Sequence, residues 1–107
     1  PNIREFRRLR GQMQVAMVLA RAGLKDSARA VIVRSRAESD VDPTRELSQC
    51  EAAARTLLGD KDEAFAQLGT WLATNPQQRT SLAKDKTWWY KDLHSDSRWN
   101  GLVGVSN

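Results

Sequence analysis

A few side chains in this sequence have the types and spacing that chemistry uses. His94 is the single histidine, and Asp92, Ser95 and Asp96 stand beside it. A base, a nucleophile and an orienting acid are the parts of a catalytic triad, but a triad needs them to converge with fixed mutual geometry. Neighbours in one short loop do not aim a base at a nucleophile. One imidazole with flanking carboxylates is also a thin ligand set for zinc. His94 therefore reads as a surface residue in the turn before a last helix. Cys50 is the single cysteine, which excludes an internal disulfide and argues against a Cys-based metal site. It falls on the apolar side of a helix and reads as a small buried hydrophobe. No glycine-rich phosphate loop, HExxH or EF-hand pattern occurs. The expectation is a non-catalytic chain, with no cofactor and no metal.

Two further groups suggest binding. Arg4, Arg7, Arg8 and Arg10 cluster at the start and could meet phosphate or an acidic partner. Glu5 interrupts the run, which suits the solvated face of a helix. Trp88, Trp89 and Tyr90, with Lys84, Lys86 and Lys91, could stack single-stranded bases in a basic groove. Adjacent residues on a helix point about 100° apart, so Trp88 and Trp89 cannot serve one surface together. Rings of this size more often bury area to hold a segment in place.

The elements that position these groups are helical. Over 107 residues, 40% apolar and 28% charged side chains fit a single ordered domain rather than a disordered chain. The net charge of +4 is mild and mostly local to the first turns. No apolar run is long enough to cross a membrane. A lone thiol is compatible with the cytosol. The chain opens Pro1-Asn2-Ile3-Arg4, without Met or a secretory apolar stretch, so a piece of a longer protein is expected.

Helix one is expected over Asn2 to Ala22. Phe6, Leu9, Met13, Ala16, Met17 and Ala20 form one apolar face, and Val15, Val18, Leu19 and Ala22 a second. Gly23 stops it. Helix two is expected over Lys25 to Glu38, with Ala28, Val31, Ile32 and Ser35 inward. Asp42-Pro43 opens helix three, whose apolar side is Leu47, Cys50, Ala54, Leu57 and Leu58, and which ends at Gly59. Asp60 with Glu63 resembles a capping box for helix four. Its core residues are Ala64, Phe65, Leu68, Trp71 and Leu72, and Asn75-Pro76 closes it. The carboxylates, mostly near Lys or Arg, read as surface charge.

The four helices read as one hairpin written twice. A shift of 36 residues carries Gly23 onto Gly59, Ala16 onto Ala52, Lys25-Asp26 onto Lys61-Asp62, and Ala28 onto Ala64. Self-similarity at such a period marks stacked helical repeats. Through Leu58-Gly59-Asp60-Lys61-Asp62-Glu63-Ala64-Phe65, Leu68 and Asn75-Pro76, the second unit resembles the tetratricopeptide repeat family. Leu19-Ala20-Arg21-Ala22-Gly23 through Ala28 and Ile32 resembles it more loosely. The ending Asp92 to Trp99 is similar to the closing segment of many bacterial members, where an aspartate, an arginine and an aromatic start a last short helix.

The expected fold is thus all-α: two antiparallel helix-turn-helix repeats, about 3–38 and 43–76, with a Trp-rich capping segment over 77–107, in one domain. The resemblance implies a groove lined by the first helix of each pair, here Arg10, Met13, Met17 and Arg21 with Glu46, Gln49, Ala53 and Thr56. Met13 and Met17 have a competing place in the core. Members that clamp a C-terminal carboxylate use Lys and Asn in the groove, and Met13, Met17, Gln49 and Ala53 do not supply that chemistry. The expected function is protein–protein contact, with another protein or with an upstream domain of the same chain. Nucleic-acid binding through the basic helix, and regulation of an upstream enzyme domain, are the alternatives.

Overall fold

The computed structural model describes residues 3–38, 40–84 and 90–103. Within them the fold is all-α and free of strands: α1 (Ile3–Arg21), α2 (Lys25–Arg34), α3 (Glu46–Leu58), α4 (Lys61–Thr74), α5 (Gln78–Ala83), α6 (Lys91–His94) and α7 (Arg98–Val103). None of these helices is long and apolar enough to cross a membrane. Helix α1 packs on both α2 and α3, α3 packs on α4, and α7 meets α4 and α5.

The turn after α1 and the turn after α3 have the same geometry. Gly23 and Gly59 both take φ +82°, a left-handed conformation that a side chain opposes. Gly23 N–H donates to Ala20 C=O at 3.1 Å and Leu24 N–H to Leu19 C=O at 2.9 Å. In the second turn Gly59 N–H donates to Thr56 C=O at 3.1 Å and Asp60 N–H to Arg55 C=O at 2.9 Å. This paired pattern satisfies the last carbonyls of a helix while reversing the chain. Both turns fall where the glycines predict.

The apolar periodicity survives in the core. Leu9, Met13, Ala16 and Ala20 of α1 are buried with Ala28 and Ile32 of α2 and Leu47, Ala54 and Leu58 of α3. A second cluster joins Ala64, Phe65, Leu68, Trp71 and Leu72 of α4 to Leu82, Tyr90, Leu93, Trp99 and Val103 of the C-terminal segment. Met17, partly buried, touches both clusters. Val15 and Val18, expected on a second covered face, are instead exposed.

Three helix ends differ from expectation. Helix α2 stops at Arg34 rather than Glu38. Ser35 is fully buried; its hydroxyl lies 2.6 Å from Val31 C=O and 2.9 Å from Gln12 Oε1, so a side chain takes over the role of the next turn. Helix α3 begins at Glu46, yet Asp42 still caps it, its carboxylate accepting the N–H groups of Glu46 and Leu47 at 2.9 Å each. The intervening turn puts Arg45 in a left-handed conformation, φ 58°. At α4 the capping box does not form: Asp60 makes no side-chain cap hydrogen bond. Its carboxylate is taken by Arg29 and Arg55 instead.

Candidate partner-binding groove

Helices α1 and α3 leave a shallow concavity of about 370 Å³ between them. From α1 it is lined by Arg10, Gln14, Met17, Val18 and Arg21, which recur at helical spacing along one side. Helix α3 adds Gln49, Cys50 and Ala53, and Tyr90 closes one end. Tyr90 is only 1% exposed, and its hydroxyl donates to Gln49 C=O at 3.4 Å. The C-terminal segment thereby completes a wall of the groove.

Five of the eight expected groove residues meet here: Arg10, Met17, Arg21, Gln49 and Ala53. Glu46 stands at the rim, its carboxylate 3.6 Å from Arg10 Nη2. Met13 and Thr56 do not belong. Met13 is fully buried in the α1–α2–α3 core, the competing place its spacing allowed. Thr56 is buried too, its hydroxyl donating to Ala52 C=O at 2.8 Å along its own helix. Sequence spacing missed Gln14, Val18, Cys50 and Tyr90. The first three lie one helical step from expected positions, whereas Tyr90 arrives from a distant segment that no local pattern connects to α3.

The groove combines an apolar floor with basic ends. Met17 supplies an adaptable thioether, and Arg10 and Arg21 supply cations. Burial first, then the nearby Glu46 carboxylate, pushes the Cys50 thiol above its ordinary value. It stays protonated near neutral pH, and a thiol is a weak nucleophile.

The other candidates are placed elsewhere. Arg4 and Arg7 are exposed, and Arg8 pairs with Glu5 on the same helix. His94 is exposed, with its ring centroid 4.4 Å from that of Trp99. Ser95 Oγ lies 3.5 Å from Asp92 C=O, and the Asp96 carboxylate accepts from Arg98. Tyr90 is too buried to act as a stacking platform; Lys86, Trp88 and Trp89 lie outside the described residues, as does the Lys91 side chain. Among the described residues no three His, Cys, Asp or Glu side chains gather as a metal site would require.

A chain of ion pairs, none of whose members lines the groove, involves carboxylates that local spacing reads as surface charge. Glu51, 1% exposed, accepts two hydrogen bonds from Arg36 at 2.9 and 2.7 Å and one from Arg55 at 3.3 Å. Arg55 reaches on to Asp60 at 3.1 Å, and Asp60 accepts two more from Arg29 at 3.0 and 2.8 Å. These five residues tie α2 and its C-terminal end to α3 and the start of α4. Hydrogen bonds from Arg29, opposed by burial and reinforced by Arg55, hold the Asp60 carboxyl below its ordinary range.

At the far end Arg98 couples α7 to α4. Its guanidinium donates to Asp62 at 2.6 Å, pairs with Asp96, and lies 4.5 Å from the centre of the Phe65 ring. Those Arg98 bonds lower the Asp96 carboxyl to about 2.

Compared with models of known protein families, with curated proteins and with solved structures, the chain finds no significant match.

Proposed function

We propose that this chain is a non-catalytic protein-interaction module of two stacked, tetratricopeptide-like hairpins, closed at one end by the segment after Pro76. The identical turns at Gly23 and Gly59 support the hairpin repeat. The packing of Leu82, Tyr90, Leu93, Trp99 and Val103 against α4 supports the closing role of the tail. The partner is another protein or an upstream domain of the same chain. It docks in the groove between α1 and α3.

The observation that carries this reading is the groove itself. Arg10, Met17 and Arg21 from one hairpin and Gln49 and Ala53 from the next face a common space. An apolar floor with cationic ends suits an amphipathic, acid-flanked segment laid along it. Tyr90, buried at one end, and Met17, packed against both core clusters, keep the groove preformed, which lowers the ordering cost of binding.

A selection from helical peptides with one apolar face and acidic flanks tests the proposal against the intact chain. Binders should emerge, and Arg10→Glu with Arg21→Glu should weaken them by roughly tenfold or more. Stability of that double variant should shift by no more than about 1 kcal/mol, since both positions are at the surface. Binders indifferent to Arg10, Met17 and Arg21 would move the site elsewhere.

A further inference from the structure

The chain of ion pairs joins the two helix pairs. Arg29 and Arg36 come from α2 and the segment after it, and Glu51, Arg55 and Asp60 from α3 and its turn. The shift of 36 residues that carries Gly59 back onto Gly23 carries Glu51 onto Val15, Arg55 onto Leu19 and Asp60 onto Leu24. The backbone frame is the same: Leu24 N–H donates to Leu19 C=O, and Asp60 N–H to Arg55 C=O, each at 2.9 Å. The three charged groups that α3 and its turn bring to the joint are thus replaced, one hairpin earlier, by aliphatic side chains. Glu51 and Arg55 are 1% and 8% exposed, whereas Val15 and Leu24 are 52% and 53% exposed and Leu19 is only partly buried. Leu47 and Leu58, both covered, correspond to Gly11 and Ala22, and a Cβ on Gly11 would meet nothing within 4 Å.

We infer, on the two-hairpin reading above, that Val15, Leu19 and Leu24 are the receiving half of a second joint of this kind, covered by a helical hairpin stacked ahead of α1 in the same polypeptide. The existing joint identifies the occupant, because α3 buries this same face under α1 and α2. The outer face of a terminal repeat is polar, yet these three positions are more apolar than their counterparts inside the molecule. A guanidinium set over three aliphatic side chains would lose water and gain no counter-charge. The covering hairpin therefore carries apolar side chains at the positions that Arg29 and Arg36 hold, and larger ones over Gly11 and Ala22. The groove stays open beside it. Helix α3 is covered along Leu47, Glu51, Ala54 and Leu58 while its Gln49, Cys50 and Ala53 line the groove. Helix α1 is covered in the same way, with Val18, the counterpart of Ala54, at the shared edge.

An extra copy of residues 8–43, placed directly ahead of Arg8 in the intact chain, keeps the 36-residue period and serves as the probe. With Arg29→Leu and Arg36→Leu made in that copy, the tandem should unfold in one transition, at a higher urea midpoint than the chain alone. The unchanged copy, which sets two cations over Val15, Leu19 and Leu24, should stack with an equilibrium constant lower by roughly tenfold or more. Val15→Glu in the original α1 should reverse that order. In the chain without a copy the same change should leave stability nearly unaltered, because Val15 is exposed. Arg36→Leu, Glu51→Leu and the two together, made in the chain alone, form a control cycle for the joint already present. Coupling there, beside an added hairpin that melts separately, never folds or is indifferent to Val15→Glu, overturns the second joint alone. Absence of coupling between Arg36 and Glu51 removes the two-hairpin reading with it. Sedimentation of the chain without a copy completes the test: a dimer lost on Val15→Glu gives the face to a second copy and likewise overturns the inference.

Discussion

Glu51 holds two guanidinium groups at once while almost wholly withdrawn from water. Removing it would strand Arg55, itself 8% exposed, beside one remaining carboxylate. Breaking a buried pair in this way costs about 3–5 kcal/mol, so Glu51→Ala should lower the denaturation midpoint steeply, whereas Glu38→Ala, at an exposed position, should barely move it. The partly exposed carboxylates act through pH. Asp60 and Asp96 have folded-state pKa values below the ordinary range, Asp96 at about 2. Each contributes stability that is complete above the unfolded value of about 4 and is lost as pH falls through the folded one. Stability measured by urea denaturation should fall from pH 4 toward pH 2, and Asp60→Asn or Asp96→Asn should flatten that fall. The Glu51–Arg55 pair sits at an i,i+4 spacing that a helix supports, but the burial of this network and its long-range links were not legible in the chain. Arg29 and Asp60 lie 31 residues apart, and local spacing offered Asp60 a capping role that Arg29 and Arg55 displace.

The helices themselves were far more legible, because their signals are local. The α4 core of Ala64, Phe65, Leu68, Trp71 and Leu72 follows directly from three- and four-residue steps. Gly23 and Gly59 mark turns because a left-handed φ is expensive for any other residue. What misled was a side chain or turn substituting for backbone pairing, as at Ser35 and before Glu46. The C-terminal elements are the hard case. Helices α5, α6 and α7 are too short for periodicity to show, and they hold their place through rings. Trp99 is 6% exposed between Tyr90 and His94. Trp99→Ala should cost about 3–5 kcal/mol in a denaturation experiment. Deleting Lys86 to Asn107 should expose the Phe65 and Trp71 side of α4 and give an aggregating or dye-binding product. A shortened chain with an unchanged melting temperature and no dye binding would mean that the tail does not seal α4.

At the scale of the whole molecule, the proposed function rests on the groove between α1 and α3. The arrangement of the groove was legible only in part: the resemblance implied a groove between the first helix of each pair, but local spacing did not show that Met13 and Thr56 turn inward or that Tyr90 forms its end. Helix azimuth is fixed by tertiary packing, and a period in the sequence leaves it free by a residue or more. The most direct test is a backbone amide shift map of the intact chain, titrated in parallel with a selected acid-flanked helical peptide and with single- and double-stranded oligonucleotides at low and moderate salt. Peptide-induced shifts should concentrate from Arg10 to Arg21 and from Gln49 to Ala53, with Tyr90 following them and the oligonucleotides inert. Steeply salt-dependent oligonucleotide binding, centred on Arg4, Arg7 and Arg8 and lost when those three are changed, would contradict the proposed function.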